Sequence, residues 1–347
     1  MANTRSLTVA APKAKFTVED MPLPAVRGAK LKIEIEYSGI CHSDIHQVRE
    51  EWFKGIFPMV PGHEIIGRVT QVGPNVTRFR VGDRVGVGTF VDSCRKCEYC
   101  LAGRENYCLV GNVQTYNGRH YDGKPTYGGY AREIVVDQNY VLRIPETLNP
   151  AGAAPLLCAG ITVFSPLRHW DAGPGKRVAI LGFGGLGHLA VKFASALGAE
   201  VYVIGHTASK RTDAKKFGAQ GYVKIETALK EHLNSFDLIL NTTSADIPVD
   251  DLLKLLRVGG SLVSVGLPGK AQSYDPFGVV TGLKSIAGSN TGGIDETQLM
   301  LDFAAIYNIT AKVEMLDASD PKVIDAAYER VVASDVRYRF VIDASTI

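Results

Sequence analysis

The chain has 347 residues, 38 Lys+Arg against 36 Asp+Glu, 46% hydrophobic and 21% charged residues. This apolar fraction excludes an intrinsically disordered chain, and a net charge of +2 supplies no basic stripe for nucleic acid or an anionic membrane. At ~100–200 residues per domain, the length predicts two domains. The longest nearly uncharged apolar stretch, 151–164, is shorter than the ~20 residues of a membrane span. The opening MANTRSLTVAAPKAKF lacks the basic-then-apolar plan of a signal peptide. A reducing cytoplasm is therefore the expected compartment, with the six cysteines as metal ligands or buried thiols rather than disulfides.

The first 150 residues read as strands between Gly and Pro turns: LKIEIEY (31–37), GRVTQVG (67–73) and DRVGVG (83–88). From Lys176 the pattern changes. VAIL (178–181) precedes a helical pattern over 185–197, and VYVI (201–204) precedes another over 209–217. GYVKI (221–225), FDLIL (236–240), SLVSV (261–265) and KSIAG (284–288) follow, with helical patterns between most of them. Six apolar strands spaced by crossovers predict an α/β, doubly wound parallel sheet. Residues 295–308 read as a helix and RYRFVID (337–343) as a final strand. An all-β first half thus precedes an α/β half.

Cys94, Cys97, Cys100 and Cys108 form C-x2-C-x2-C-x7-C. Four thiolates so close in sequence can close tetrahedrally on one Zn²⁺, leaving no open position and hence a structural role. Ferredoxin-type iron–sulfur clusters use similar runs, but their fourth cysteine usually sits nearer and precedes Pro. Here Leu109 follows Cys108.

Cys41 in GICHSDIH and Cys158 in PLLCAGIT remain, with His63 in PGHEIIGRV and Glu64 beside it. Taken singly, each cysteine reads as a small buried hydrophobe, and His63 as structural or solvent-facing. Glu64 is a carboxylate in an apolar run, where burial is costly without a partner. As a set, two thiolates and an imidazole match the Cys₂His ligands of alcohol-oxidising catalytic zinc, whose fourth position stays open. Separations this wide make it a spatial expectation that spacing cannot test.

After strand 178–181 comes Gly182-Phe183-Gly184-Gly185-Leu186-Gly187, a G-x-G-x-x-G at a strand-to-helix turn. Small residues admit a pyrophosphate to the backbone, and the helix N-terminus stabilises its charge. NAD enzymes usually place Asp or Glu at the end of the second strand for the ribose 2′-hydroxyl. Here that strand runs into Gly205-His206-Thr207-Ala208-Ser209-Lys210-Arg211, without a carboxylate. Small residues leave room for a 2′-phosphate, and Ser209, Lys210 and Arg211 offer hydrogen bonds and charge. NADP is the expected cofactor; the alternative is a solvated first helical turn.

GICHSD, PGHEIIG, GDRVGVG, the cysteine run, GGYA (128–131), PLLCAGIT, GFGGLG and RYRFVID, in this order, resemble the zinc-containing medium-chain alcohol dehydrogenases. The similarity is to the cinnamyl alcohol dehydrogenase branch and its bacterial broad-range aldehyde reductases, and it covers essentially the whole chain. It implies a Rossmann domain (159–291) inserted in a GroES-like, β-rich catalytic domain (1–158 plus 292–347, with the structural-zinc lobe at 94–108), nicotinamide and zinc meeting in the cleft between them. It implies two Zn²⁺ per chain and NADP(H), with Cys41, His63 and Cys158 on the catalytic ion and Glu64 behind it as an alternative ligand. Asp44 would orient the zinc-bound imidazole. Ser43 would touch the reacting oxygen and start a proton relay through a cofactor ribose hydroxyl to His46. His42 would approach the cofactor phosphates, Thr162, Ser289 and Asn290 the nicotinamide half, and Arg339 would be a terminal cofactor contact. The implied reaction is hydride transfer between primary alcohols (aromatic, allylic or aliphatic) and aldehydes, favouring reduction, in a homodimer joined through strand 284–288.

Trp52 and Phe53 follow the relay segment as either pocket lining or core, and the polar stretch 112–127 carries no substrate information. Two rivals stand beside this reading. A zinc polyol dehydrogenase would carry an acid at the second-strand end and a different third ligand, against Gly205 and Cys158. A non-catalytic NADP-binding redox sensor would need the glycine loop but not Cys41, Ser43, His46, His63 and Cys158 together.

Overall fold

The computed structural model describes residues 2–206 and 208–347. The chain divides into two compact units, 1–158 with 292–347, and 159–291.

The first unit is built on a seven-stranded sheet. Its order is Val313–Asp317, Arg339–Asp343, Lys30–Gly39, Ile65–Val72, Arg84–Val87 and Leu142–Arg143, with Glu133–Asp137 also paired to Lys30–Gly39. The first two strands run parallel; the other pairings are antiparallel. Along Lys30–Gly39 the side chains alternate: Leu31, Ile33 and Ile35 are buried while Glu34 is exposed. Antiparallel pairing brings the end of this strand beside the start of Ile65–Val72, so Gly39 N–H donates to Glu64 O at 3.0 Å. Arg339–Asp343 arrives at the same end, where Ile40 N–H donates to Phe340 O at 2.9 Å. Three chain segments distant in sequence thus meet at one sheet end.

This first unit is not all-β. Cys41 caps a helix over His42–Val48, and Asp44 of its first turn accepts from Cys41 N at 2.8 Å. Seven residues are too few for helical periodicity to stand out. An N-terminal hairpin, Ala2–Thr8 against Thr17–Leu23, also escapes the hydropathy pattern, because Thr4, Ser6 and Thr8 fill several of its buried positions.

The second unit holds a six-stranded parallel sheet in the order Gly221–Val223, Glu200–Ile204, Arg177–Leu181, Phe236–Asn241, Leu256–Ser264, Ser285–Gly288. This is the Rossmann order. Val178, Ala179, Ile180, Val201, Val203, Ile239, Leu240 and Val263 are fully buried, as a sheet covered on both faces requires. The chain reverses its direction of winding between Arg177–Leu181 and Phe236–Asn241, the switch point that opens a ligand crevice at the strand C-termini.

Candidate active site

At the convergent sheet end, ligand atoms of Cys41, His63, Glu64 and Cys158 all lie within 4.8 Å of one another. The two sulfurs are 3.9 Å apart, and all four residues are buried. Cys41 follows one central strand and His63 precedes its neighbour. Cys158 is delivered by the turn Ala154–Leu157, which lies so close to strand Arg84–Val87 that a Cβ at Gly86 would meet Leu157 Cδ1 at 2.8 Å.

Charge is heavily perturbed here. The hydrogen bond from Cys158 holds the Cys41 thiol well below its usual range, while the same bond and burial hold Cys158 well above it. Burial raises Glu64 to about 7 against the opposing Arg339 charge. Burial works against a charged His63, but the Asp44 carboxylate, which accepts from His63 Nδ1 at 3.1 Å, raises it well above the usual value. With Nδ1–H committed to Asp44, the other ring nitrogen presents its lone pair as a ligand, the usual arrangement of a metal-bound imidazole. Two sulfurs, an imidazole and a carboxylate surround the one guanidinium of Arg339. Glu64 Oε2 is buried with no hydrogen-bond partner. This donor set fits Zn²⁺.

Arg339 belongs to this cluster: its guanidinium pairs with the Glu64 carboxylate, both side chains almost wholly buried. The expectation of a cofactor contact for Arg339 thus meets a side chain already engaged with Glu64.

Ser43 Oγ lies 3.4 Å from Cys41 Sγ. His46, three residues further on the same helix face, is stacked between His42 (ring centroids 4.8 Å) and Trp52 (4.4 Å). Its Nδ1 pairs with the carboxylate of Glu51. Trp52 is therefore a lid on His46, whereas Phe53 is 72% exposed. Sequence reasoning missed Glu51, whose only signal was an acid five residues after His46. It also missed Tyr116, stacked on the His63 ring at 5.8 Å from within the stretch 112–127.

The second cluster is local. Cys94, Cys97, Cys100 and Cys108 bring their sulfurs within 4.8 Å of one another, the first three partly exposed and Cys108 buried. Backbone N–H groups of Cys94 and Cys97 donate to Cys108 Sγ and Cys94 Sγ at 3.4 and 3.3 Å. Backbone donors lower Cys97 to about 6, and burial raises Cys100 to about 12. Four sulfurs with no other ligand fit a closed structural Zn²⁺.

In the second unit, the glycine loop joins strand Arg177–Leu181 to helix Gly187–Ala196. Gly182 has φ +88°, and a Cβ on Gly187 would strike Gly182 O at 2.2 Å. Gly184 has nothing within 4 Å of its Cβ position, open backbone of the kind a pyrophosphate approaches. Gly185 and Leu186 complete the turn, with Leu186 capping the helix. Lys210 Nζ donates to Phe183 O of this loop at 3.3 Å, and Arg211 Nη2 to Tyr222 O at 3.2 Å. Gly205 and His206 line a recess with Lys224, Glu226 and Asp246. The basic Lys224 and the two acids were not anticipated. Ser209 sits in the short turn Ala208–Lys210; Thr207 lies outside the described residues. Thr162 is buried in helix Ala159–His169. Ser289 and Asn290 follow strand Ser285–Gly288 at the C-terminal end of the sheet, where Ser289 N–H donates to Ser264 O at 3.1 Å.

Residues 28–146 match the family "Alcohol dehydrogenase GroES-like domain", and 185–305 match "Zinc-binding dehydrogenase". The chain is 54% identical to a probable formaldehyde dehydrogenase, AdhA, of Bacillus subtilis, over 99% of this chain and 98% of the relative. It is 49% identical to the aldehyde reductase YahK of Escherichia coli, over 91% of each. The structure of a CAD from Helicobacter pylori complexed with NADP(H) superposes with a TM-score of 0.92 at 39% identity, covering 99% of both chains. With two sulfur-based clusters in a GroES-like unit and a Rossmann sheet behind a glycine loop, the chain belongs to the zinc-type medium-chain alcohol dehydrogenases.

Proposed function

We propose that this chain is an NADP(H)-dependent zinc alcohol dehydrogenase that interconverts primary alcohols and aldehydes and favours aldehyde reduction. The observation that carries the reading is the buried Cys41–His63–Cys158 cluster with a hydroxyl, Ser43, beside it. Cys41, His63 and Cys158 would hold one Zn²⁺, and Cys94, Cys97, Cys100 and Cys108 a second. When bound at the first site, the metal supplies Lewis-acid polarisation of the substrate oxygen. Ser43 is placed to hydrogen-bond that oxygen. His46 holds the proton to be exchanged, its ring fixed by Trp52 and His42 and its Nδ1 tied to Glu51. Glu51 is 43% exposed and opens the path to solvent. Arg339 pairs with the Glu64 carboxyl group and opposes the upward push of burial on it.

In this reading, residues 1–158 with 292–347 form the catalytic domain and 159–291 the NADP(H)-binding one. Lys210 over the glycine loop supports a 2′-phosphate site, as does the NADP(H) named with the Helicobacter enzyme. The aldehyde reductase name of the Escherichia relative supports the direction.

A homodimer is part of the proposal. Among the described residues, strand Ser285–Gly288 pairs with one strand only, and Phe277, Val280, Leu283 and Ile286 near this edge are exposed. Such an edge is suited to pairing with a second copy. A cytoplasmic location is proposed because six cysteines with no disulfide among them fit a reducing compartment.

The test is parallel initial rates of cinnamaldehyde and benzaldehyde reduction with NADPH and NADH, on protein of known zinc content. NADPH-selective turnover is expected, with two zincs per chain. A two-zinc protein that turns over polyols but neither aldehyde would replace this reading with a polyol dehydrogenase.

A further inference from the structure

The imidazole of His63 is backed by more than Asp44. Asp44 Oδ2 accepts from Cys41 N at 2.8 Å and from Tyr130 Oη at 3.2 Å, while Oδ1 faces His63 Nδ1 at 3.1 Å. Tyr130 Oη in turn accepts from Tyr328 Oη at 3.4 Å. Tyr328 comes from helix Lys322–Val332, 198 residues further along the chain. Asp44, Tyr130, Tyr328 and His63 are all buried.

Shape alone does not call for these hydroxyls. Tyr130 and Tyr328 pack their rings on Phe16 at 6.1 and 5.2 Å, contacts that Phe would make equally well. A phenol taken out of water is stabilising only if its hydroxyl is bonded, and here the bonds run in one direction, toward Asp44. Burial and the Asp44 charge hold both phenols well above their usual range, so both stay protonated donors.

The seat of Tyr130 is tied to the segment that carries His63. Gly128, Gly129 and Tyr130 donate their N–H groups to the carbonyls of Val60, Gly62 and Pro61 at 2.8, 2.9 and 2.9 Å. A Cβ on Gly62, the residue before His63, would come within 2.6 Å of Tyr130 Cδ1. Phenol and imidazole are therefore held in register by their own backbones, with Asp44 bridging them.

We propose that Tyr130, backed by Tyr328, is a positioning residue for the metal centre. Its hydroxyl pins Asp44 Oδ2, so that Oδ1 is held on His63 Nδ1–H and the other ring nitrogen stays aimed as a ligand. Outer-shell partners of this kind typically contribute ~10–100-fold in metal affinity. The proposal rests on the reading that Cys41, His63 and Cys158 bind a metal. Parent protein carrying a single zinc per chain would overturn that reading before any variant is compared.

The experiment is chelator competition for zinc on the full-length protein, comparing the parent with Tyr130→Phe, Asp44→Asn and the double variant. The zinc of the four-cysteine cluster reports intact folding. Tyr130→Phe is expected to weaken the other zinc about 10-fold and to shift the visible bands of Co²⁺ placed in that site. On the Asp44→Asn background, the same change should alter affinity less than about 2-fold, because the residue it acts through is gone. Parental or tighter zinc binding in Tyr130→Phe overturns the proposal. So does an undiminished loss on top of Asp44→Asn, which would mark a purely structural role. If Tyr130→Phe loses both zincs, Tyr328→Phe takes its place in the cycle, with about a 3-fold weakening expected; parental affinity there overturns the proposal equally.

Discussion

The two sulfur clusters of the first unit bind by opposite designs. The four-cysteine cluster lies within residues 94–108, is partly exposed, and draws its thiolate stabilisation from its own backbone N–H groups. The Cys41–His63–Cys158 cluster is assembled from three separated segments, is buried, and is surrounded by Asp44, Glu64 and Arg339. A local cluster needs only sulfurs to close a metal's coordination sphere and hold a loop. One that leaves a coordination position for substrate must be buried to exclude water, and burial then demands charged partners to keep its ligands ionised and aimed.

Substitution separates the two most sharply. Cys158→Ser should lower aldehyde turnover by at least about 10³-fold, the scale of losing several kcal/mol of metal-borne polarisation, while the four-cysteine zinc remains. Turnover assays with metal analysis check this; full activity would remove Cys158 from the catalytic set. Cys108→Ser should do the reverse. It should release the lobe's zinc and lower the melting temperature by several degrees, while the aldehyde-reducing rate of the still-folded fraction stays within about 3-fold of the parent. Calorimetry and initial rates on the same sample would show it, and an equal loss of rate and stability would erase the contrast.

The glycine loop is a third case, local like the four-cysteine cluster but serving a ligand. Lys210→Ala with Arg211→Ala should raise KM for NADPH by about 10–30-fold and change KM for NADH less than about 2-fold, since two charge-assisted contacts to phosphate are lost. Equal losses for both cofactors would show that the pair does not read the 2′-phosphate. The smallest effect is expected at the exit of the relay. Glu51→Gln should reduce kcat by roughly 3–10-fold, below the full ~10²–10⁴ of general acid–base catalysis because His46 remains. Added imidazole buffer should restore part of the rate; unchanged kcat would make Glu51 a surface partner of His46 only.

Legibility in the sequence followed the range of the interactions. C-x2-C-x2-C-x7-C and G-x-G-x-x-G could be read because their chemistry is closed within a few residues, and the central parallel strands because burial on both faces makes them continuous apolar runs. The hairpin Ala2–Thr8/Thr17–Leu23 could not, since Thr and Ser occupy buried positions that hydropathy reads as exposed. Strand Val313–Asp317 was missed for a similar reason: it is a sheet edge of mixed exposure. Cys41, His63 and Cys158 were legible only as leftovers of the right chemical type.

Residue type and short spacing thus determined the parallel α/β sheet, the four-cysteine cluster and the phosphate loop. Tertiary structure decided that Arg339 faces Glu64 across 275 positions, that Tyr130 and Tyr328 stand behind Asp44, and that Trp52 covers His46. Each of these depends on strand register and on which ends of strands meet. A buried charge or hydroxyl finds its partner among whatever the fold brings within about 3 Å, and that neighbour is not written in the residues beside it.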